Sequence, residues 1–267
     1  TQRLVWGLVG GVRGRRSKLR GIAVSTSGRV DVGQGLVLET GNVFNWRNVP
    51  VRERMERAFR SPVSVDNDVN MAALAEMHHG AARGLENFVL VRLETGIGCG
   101  IVLGGRIYHG ANWAAGEIAH AVLAESALAA DWGPRGYLEN MVGEDVVVER
   151  LVAAGIEGPD PIAALEEAAG KGDARACELL DRVAHHLGAA AALVAAAYDP
   201  SLIVLQGRFW RSLFPRVTEI VHRVIPWKVE VALSTAGDEA VLLGTVIAAR
   251  VHAYERIARG LNEKASA

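Results

Sequence analysis

The segment Asp66-Asn67-Asp68-Val69-Asn70 places four polar side chains where an apolar stretch ends and a helix-forming stretch begins. One such side chain is enough to cap a helix, so capping alone does not account for all four. The carboxyl ends of strands in open α/β sheets are also where ligands bind. Because a carboxylate accepts from a hydroxyl and an amide both donates and accepts, Asn67 and Asp68 predict a site for a polyhydroxy small molecule. Asp68 is also able to serve as a general base toward a hydroxyl.

Glu117 and His120 form a second polar pair, in Gly116-Glu117-Ile118-Ala119-His120. Being three positions apart, the two side chains share one face of a helical turn. Zinc would need further Cys or His ligands at close spacing. Residues 130–137 contain neither residue type, so the sequence predicts no metal site here. Taken alone, such a pair is typical of a solvated turn.

Two glycine-containing loops are candidates for phosphate binding. The first is Thr95-Gly96-Ile97-Gly98-Cys99-Gly100, and the second is Gln206-Gly207-Arg208. Glycines let a backbone approach a phosphate, and consecutive N–H groups can cradle an anion. A plain β-turn explains the first loop equally well, and the neighbouring Glu94 would repel phosphate. The single glycine of the second loop makes a weak nucleotide signal at the start of a helix.

The histidine pairs His78-His79 and His185-His186 lie in helix-forming segments. We interpret both pairs as structural or surface residues. The six tryptophans are scattered along the chain, which favours packing roles over a platform for stacked bases.

The segments around these motifs alternate between strand and helix patterns. Short apolar runs predict strands over 21–24, 35–38, 62–65, 88–93, 99–103, 106–109, 202–205 and 229–234. Apolar residues at helical spacing predict helices over 3–13, 50–59, 70–83, 209–224 and 240–261. The glycine turns within 88–109 predict an antiparallel meander. Together the alternation predicts an α/β fold whose sheet is at least partly parallel.

The composition fits a soluble globular protein. Of the 267 residues 50% are hydrophobic, the formal net charge is -1 and the sequence pI is about 6.7. That balance gives no general attraction to nucleic acid or to an acidic membrane. Two distant cysteines, Cys99 and Cys177, favour a reducing cytoplasm over a disulfide framework. No apolar run is long enough for a membrane span, and Thr1 in place of Met indicates a possible fragment.

Six segments carry a family resemblance by their order. They are Ser25-Thr26-Ser27-Gly28-Arg29-Val30-Asp31, Asn67-Asp68-Val69-Asn70, Ala72-Ala73-Leu74-Ala75-Glu76, Thr95-Gly96-Ile97-Gly98, Glu117-Ile118-Ala119-His120 and Gly136-Tyr137-Leu138-Glu139. This order resembles the ROK family, a name that stands for repressors, open reading frames and sugar kinases. The resemblance covers about residues 19–250. Residues 25–30 and 84–88 also resemble the N-acylmannosamine kinase branch.

The resemblance implies an actin-like ATPase (ribonuclease H-like) fold with two lobes, of which the first is truncated here. We expect a partial N-terminal lobe over 1–84 and a C-terminal lobe over 85–239. A closing helix over 240–262 would pack back toward the N-terminal lobe, and 263–267 would form a tail.

The resemblance also implies the roles of individual residues. A sugar would be held by the positions that match Gly28, Arg29, Asn67, Asp68, Glu117, His120 and Glu139. In kinase members the residue matching Asp68 is the base that activates a sugar hydroxyl for attack on Mg²⁺-ATP. The nucleotide loops of the family match Thr95, Gly96, Gly98 and Gly207.

Four departures from the family pattern affect the expected chemistry. The zinc motif Cys-x-Cys-Gly-x-x-Gly-Cys has Ala130, Trp132 and Tyr137 in place of its cysteines, so structural zinc is not expected. The Gly-Thr-Gly loop begins with Glu94, and the Gly-Gly-Gly loop is Gln206-Gly207-Arg208. The Asp-x-Gly-x-Thr loop of the first lobe is absent from this sequence.

Because the sugar residues are retained while the nucleotide loops are altered, the favoured hypothesis is the effector-binding body of a ROK-type transcriptional regulator without kinase activity. It would bind a sugar or amino sugar, would contact DNA only through an upstream helix-turn-helix, and would form a homodimer or homotetramer. The alternative is an ATP-dependent hexose or amino-sugar kinase, with Asp68 as base and Mg²⁺-ATP as donor. A third hypothesis is a degenerate scaffold that binds neither ligand.

Overall fold

The computed structural model describes residues 19–40 and 46–265, and the side chains of its last helix as far as Ala258. The helix predicted over 3–13 lies outside the described residues. Within them the strands are β1 (Ile22–Thr26), β2 (Arg29–Asp31), β3 (Leu36–Glu39), β4 (Arg47–Pro50), β5 (Val63–Asn67), β6 (Phe88–Leu93), β7 (Ile97–Leu103), β8 (Arg106–Ile107), β9 (Leu202–Gln206) and β10 (Glu230–Leu233). The α-helices of the same residues are α1 (Val51–Phe59), α2 (Asp68–His79), α3 (Tyr137–Val142), α4 (Glu144–Ala153), α5 (Pro161–Gly170), α6 (Ala174–Tyr198), α7 (Trp210–Val224) and α8 (Ala240–Ala265).

The chain divides into two compact units. Unit 1 comprises the residues up to Ala75, Ala111–Trp113 and the residues from Glu239 onward. Unit 2 comprises Glu76–Gly110 and Ala114–Asp238. The lobe boundaries given by the resemblance remain predictions.

Two small sheets form the strand framework of unit 1. β1 and β5 pair in parallel, with Thr26 opposite Asn67, and β2, β3 and β4 form an antiparallel sheet in that order. This register brings the carboxyl end of β5 beside the turn that follows β1. The valines that alternate along β2, β3 and β5 are buried against one another and make the apolar core of this unit. The sheets therefore fix both segments that carry its predicted sugar residues.

α8 packs on unit 1 through two glycines. A Cβ at Gly244 would overlap the carbonyl oxygen of Met71, and a Cβ at Gly21 would stand 3.3 Å from the carbonyl oxygen of Ala249. Both glycines therefore allow a closer approach between backbones than any other residue would.

A mixed sheet in the order β10-β9-β6-β7-β8 forms the centre of unit 2. β10, β9 and β6 run parallel, whereas β6, β7 and β8 are the antiparallel meander predicted from the sequence, which is thereby confirmed. Residues Phe88–Leu93 are buried apart from Arg92, as expected for a strand covered on both faces.

Two long helices cover this sheet. α6 and α7 cross closely because Gly188 leaves room for Ile220, whose side chain would stand 2.8 Å from a Cβ at that glycine. Trp210, Leu187 and Leu205 are fully buried in the same core. Burial of one large apolar side chain contributes about 1.5–3 kcal/mol, so this core holds unit 2 together.

The predicted elements agree with the structure in most places. β2 and β4 were not predicted, and α2 ends at His79 although its pattern predicts a helix as far as 83. The Glu76 carboxylate accepts from the backbone N–H of Ala81 at 2.7 Å, which stabilises a turn directly after the helix. None of the described helices combines the length and the apolar character that a bilayer crossing requires.

Candidate functional site

The junction between β5 and α2 orients Asn67 through backbone hydrogen bonds. Its Oδ1 accepts from the N–H of Val69 at 2.7 Å and from that of Asn70 at 3.4 Å, so it caps α2. Its Nδ2 donates to the carbonyl oxygen of Gly28 at 2.8 Å. Capping and site geometry are therefore one arrangement, since the amide that starts the helix also anchors the Gly28 turn.

The two carboxylates of this junction differ in their surroundings. Oδ1 of Asp66 accepts from the N–H of Asn67 at 2.7 Å and from Nδ2 of Asn70 at 2.9 Å, so this residue stabilises the junction internally. Asp68 opens α2, and its Oδ1 accepts from the N–H of Val69 at 3.1 Å. A carboxylate in the first turn of a helix is stabilised by the partial positive charge there. Asp66 thus has a structural role, and Asp68 keeps its predicted role.

Gly28 and Arg29 are placed by contacts within unit 1. Gly28 has a φ of 86°, and a Cβ there would overlap the backbone of Glu39 and Thr40, so glycine is required. Nη2 of Arg29 pairs with the Glu39 carboxylate at 2.7 Å, and Nη1 donates to the carbonyl oxygen of Asn112 at 3.2 Å. The guanidinium is therefore held by the protein itself, and Asn112 is a contact that sequence reasoning missed.

Glu117 and His120 lie at the two ends of a 3₁₀ turn, Ile118–His120, in unit 2. Gly116 has a φ of 89°, and a Cβ there would overlap the carbonyl oxygen of Cys99, which ties the turn to β7. Burial, with a smaller effect of the Glu117 carboxylate, raises the pKa of the Cys99 thiol to about 12. Cys99 therefore stays protonated and is not a nucleophile.

Glu139 lies on α3 beside the first glycine loop. Its Oε2 accepts from the N–H of Ile97 at 3.2 Å, and a Cβ at Gly96 would stand 2.6 Å from the same oxygen. Burial raises the pKa of Glu139, although the Ile97 N–H and the charge of His120 act in the opposite direction. The structure therefore brings His120 and Glu139 within electrostatic range of each other.

The predicted sugar residues thus form two sets, one in each unit. Unit 1 brings together Gly28, Arg29, Asn67 and Asp68, and unit 2 brings together Glu117, His120 and Glu139. Their assignment to a sugar stays a prediction.

An aromatic contact occupies the segment where the family has its zinc motif. The rings of Trp132 and Tyr137 meet edge to face, with centroids 4.9 Å apart and planes at 85°. Such a pair contributes about 0.5–1.5 kcal/mol beyond its buried area. Across residues 19–40 and 46–265 no three His, Cys, Asp or Glu side chains converge as metal ligands. The residues present do not fit zinc, which binds thiolate and imidazole groups.

The first glycine loop has its own protein partners. The Glu139 carboxylate uses the N–H of Ile97, and it fills the space beside Gly96. The negative charge of Glu94 is partly compensated by Arg92 at 2.8 Å, which weakens the expected repulsion of phosphate by that residue. The loop nevertheless presents a carboxylate where a phosphate would require donors, which is a poor fit for a nucleotide.

The second glycine loop is also explained by internal contacts. Gly207 has a φ of 128°, and a Cβ there would overlap the carbonyl oxygen of Leu93, so packing of β9 on β6 requires this glycine. The guanidinium of Arg208 pairs with Glu144 at the start of α4 and with Asp160, the N-cap of α5, at 3.2 Å. Sequence reasoning missed both acidic partners, which lie far from Arg208 in the chain.

The chain belongs to the ROK family, whose model matches residues 5–251. The predicted family is confirmed, and with it the actin-like ATPase fold of its sugar kinases. A glucokinase of Halalkalibacterium halodurans is 36% identical over 207 residues, which are 72% of this chain and 62% of that protein. The DNA-binding transcriptional dual regulator NagC of Escherichia coli K12 is 32% identical over 218 residues, 77% of this chain and 53% of that protein. The chain thus spans less than two thirds of either relative.

Solved structures include both functional branches of the family. A ROK hexokinase from Thermus thermophilus superposes with a TM-score of 0.79 at 29% identity, covering 96% of this chain and 88% of the other. A ROK family transcriptional regulator, a homologue of the E. coli MLC protein, gives a TM-score of 0.74 at 25% identity, covering 91% and 66%. Overall similarity therefore does not separate kinase from regulator, and the distinction has to come from individual residues.

Proposed function

We propose that this chain is the sugar-binding body of a ROK-type transcriptional regulator, which binds its sugar without phosphorylating it. The observation that carries this proposal is the Glu139 carboxylate at the first glycine loop, where it accepts from the N–H of Ile97. A phosphate at this loop would meet a negative charge instead of a donor. The ion pairs of Arg208 with Glu144 and Asp160 add that the second loop is also engaged by protein side chains.

Sugar hydroxyls would be bound by charge-assisted hydrogen bonds. The carboxylates of Asp68, Glu117 and Glu139 accept from hydroxyl groups, whereas the amide of Asn67 donates to a hydroxyl oxygen. Since these residues are divided between units 1 and 2, a bound sugar would favour the conformation in which both sets bind it. DNA contact would come from residues outside this chain, as the name of the NagC relative suggests for that protein.

The test is sugar binding and ATP turnover by the full-length protein. Calorimetry with D-glucose, D-xylose and N-acetyl-D-glucosamine is expected to show binding of at least one sugar, and Asp68→Ala is expected to lose it. Glu53→Gln, a change at an exposed carboxylate of α1, serves as the matched control. Sugar-dependent release of ADP that disappears in Asp68→Ala would contradict the regulator.

The second candidate is an ATP-dependent sugar kinase. Two observations favour it: the 36% identity to a glucokinase and the position of Asp68 in the first turn of α2. In that function Asp68 would remove the proton from the attacking sugar hydroxyl. A coupled assay of ADP release with the same three sugars distinguishes the candidates, because only the kinase predicts a sugar-dependent rate.

A further inference from the structure

Tyr137 fixes the short helix α3 to the long helix α6. Its ring is buried, and its hydroxyl lies 3.2 Å from Nε2 of His186. Nδ1 of His186 lies 2.8 Å from the carbonyl oxygen of Arg182, so Nδ1 is assigned the proton and Nε2 is the acceptor. The Tyr137 hydroxyl therefore donates to His186, one helix turn beyond the carbonyl that holds the imidazole.

Trp132 extends this contact in the other direction. Its indole edge meets the Tyr137 ring, and its Nε1 donates to the carbonyl oxygen of Ala127 at 2.9 Å. Nδ2 of Asn140 donates to the carbonyl oxygen of Trp132 at 3.1 Å. The three side chains Trp132, Tyr137 and His186, which we call the aromatic brace, thus connect the loop before α3, α3 itself and α6.

α3 depends on such contacts for its position. It has only six residues, lies between Gly136 and Gly143, and has no side-chain N-cap. A helix of this length is not stable by itself, because nucleation costs more than so few hydrogen bonds return. Burial of Leu138 and Val142 supplies apolar contact, and the brace adds directional contacts that fix how the helix is rotated.

The position of α3 determines the position of two predicted ligand groups. A Cβ at Gly136, the residue before Tyr137, would stand 2.7 Å from Nδ1 of His120, so the backbone there abuts the imidazole. Glu139 follows Tyr137 by two residues, and its carboxylate reaches the N–H of Ile97. Any displacement of Tyr137 therefore moves a wall of the His120 ring and the Glu139 carboxylate together.

We infer that Trp132, Tyr137 and His186 are positioning residues, which hold His120 and Glu139 in place for a sugar without the help of a metal ion. The inference rests on the proposed function as far as the sugar is concerned. The contact between the brace and the His120 ring is independent of any ligand, and it gives the experiment a second readout.

The test compares variants of the full-length protein purified without added metal and treated with a chelator. D-glucose, D-xylose and N-acetyl-D-glucosamine are titrated by calorimetry. Trp132→Leu and Tyr137→Leu are expected to weaken binding roughly 10–100-fold, as is typical when a residue that orients a binding group is lost. Trp132→Phe, which restores an aromatic edge, is expected to bind more tightly than Trp132→Leu, and chelation is expected to leave wild-type affinity unchanged.

The control for a purely structural effect is Phe214→Leu, a change to an aromatic side chain that packs on the core of unit 2 from α7. It is expected to lower stability without changing affinity. The ring signals of His120, assigned by NMR with His120→Gln, are expected to move in Trp132→Leu and Tyr137→Leu but not in Phe214→Leu. Brace variants with wild-type affinity and unmoved His120 signals would overturn the inference.

The two readouts also separate the two proposals. A wild-type protein that binds none of the three sugars contradicts the proposed function, whereas the His120 signals still decide the positioning role. Loss of sugar binding on chelation, with recovery on addition of zinc, would show that a metal ion and not the brace holds these groups.

Discussion

The junction at Asn67 and the glycine loops at 95–98 and 206–208 match family motifs equally well, yet the structure explains them differently. At the junction, polar side chains bind one another and the backbone, and Asp68 lies at the first turn of a helix. At the loops, the glycines are required by neighbouring protein atoms: Gly96 by Glu139, and Gly207 by the backbone of Leu93. A glycine retained in such a loop is therefore no evidence of a bound phosphate.

The largest effect expected from this difference is on stability at Gly207. Gly207→Ala is expected to lower the free energy of unfolding by about 3 kcal/mol or more, because the new Cβ overlaps the carbonyl oxygen of Leu93 at a positive φ. Gly237→Ala is the matched control, since φ is 77° there and no atom lies within 4 Å of the added carbon; about 1 kcal/mol is expected. Urea denaturation followed by circular dichroism measures both. Equal losses would mean that packing does not require the glycine.

Asn67 tests the other side of the comparison. Asn67→Ala removes the cap of α2 and the bond to Gly28, and is expected to cost about 1–2 kcal/mol. Asn67→Asp keeps an oxygen for the N–H of Val69, so it is expected to lose less stability. Both variants are expected to lose sugar binding in calorimetry. An Asn67→Asp protein with wild-type sugar affinity would reduce Asn67 to a helix cap.

Arg208 is expected to contribute little to stability. Its pairs with Glu144 and Asp160 are half-exposed, so Arg208→Ala is expected to lower the free energy of unfolding by at most about 1 kcal/mol. Arg223→Ala breaks an exposed pair with Glu219 within α7 and serves as the reference. Thermal denaturation in low and high salt measures the difference. A salt-independent loss well above that of Arg223→Ala would indicate a structural role for the cluster.

The smallest effect concerns the pH dependence at Glu139. Burial raises the pKa of its carboxyl above the ordinary value of 4.5, so the folded protein binds this proton more tightly than the unfolded chain does. Stability associated with the protonated form is therefore lost as the pH rises from 4.5 through the raised pKa. Relative to Glu139→Gln, the melting temperature of the wild type is expected to fall across that interval. A difference that is constant with pH would contradict the raised pKa.

Local patterns were sufficient to predict the elements whose signal is local. The buried strand Phe88–Leu93 and the meander after it follow from apolar runs and glycine turns. β4 escaped prediction because Arg47-Asn48-Val49-Pro50 contains no alternation of apolar residues and has Asn48 at a φ of 53°. The end of α2 depends on Glu76, which also binds Ser234, a residue 158 positions away, and no local pattern carries that information.

The candidate site was predictable in its residue types but not in its supports. Motif order identified Asn67, Glu117 and Glu139, whereas nothing in the sequence indicated that Tyr137 donates to His186 on another helix. The His185-His186 pair was interpreted as structural or surface, which agrees with the role of His186 in the brace. Contacts between distant segments depend on the fold, and residue spacing does not encode them.

The buried thiol of Cys99 makes the protein a reporter of its own local opening. Both cysteines are free, but Cys99 is buried beneath the turn that carries Glu117, while Cys177 is partly exposed. Because thiol reagents attack the thiolate, Cys177 is labelled in the closed protein and Cys99 only when β7 separates from that turn. The ratio of the two labelling rates therefore measures how often this face of unit 2 opens. A sugar held by Glu117 would slow the reaction at Cys99 and leave that at Cys177 unchanged.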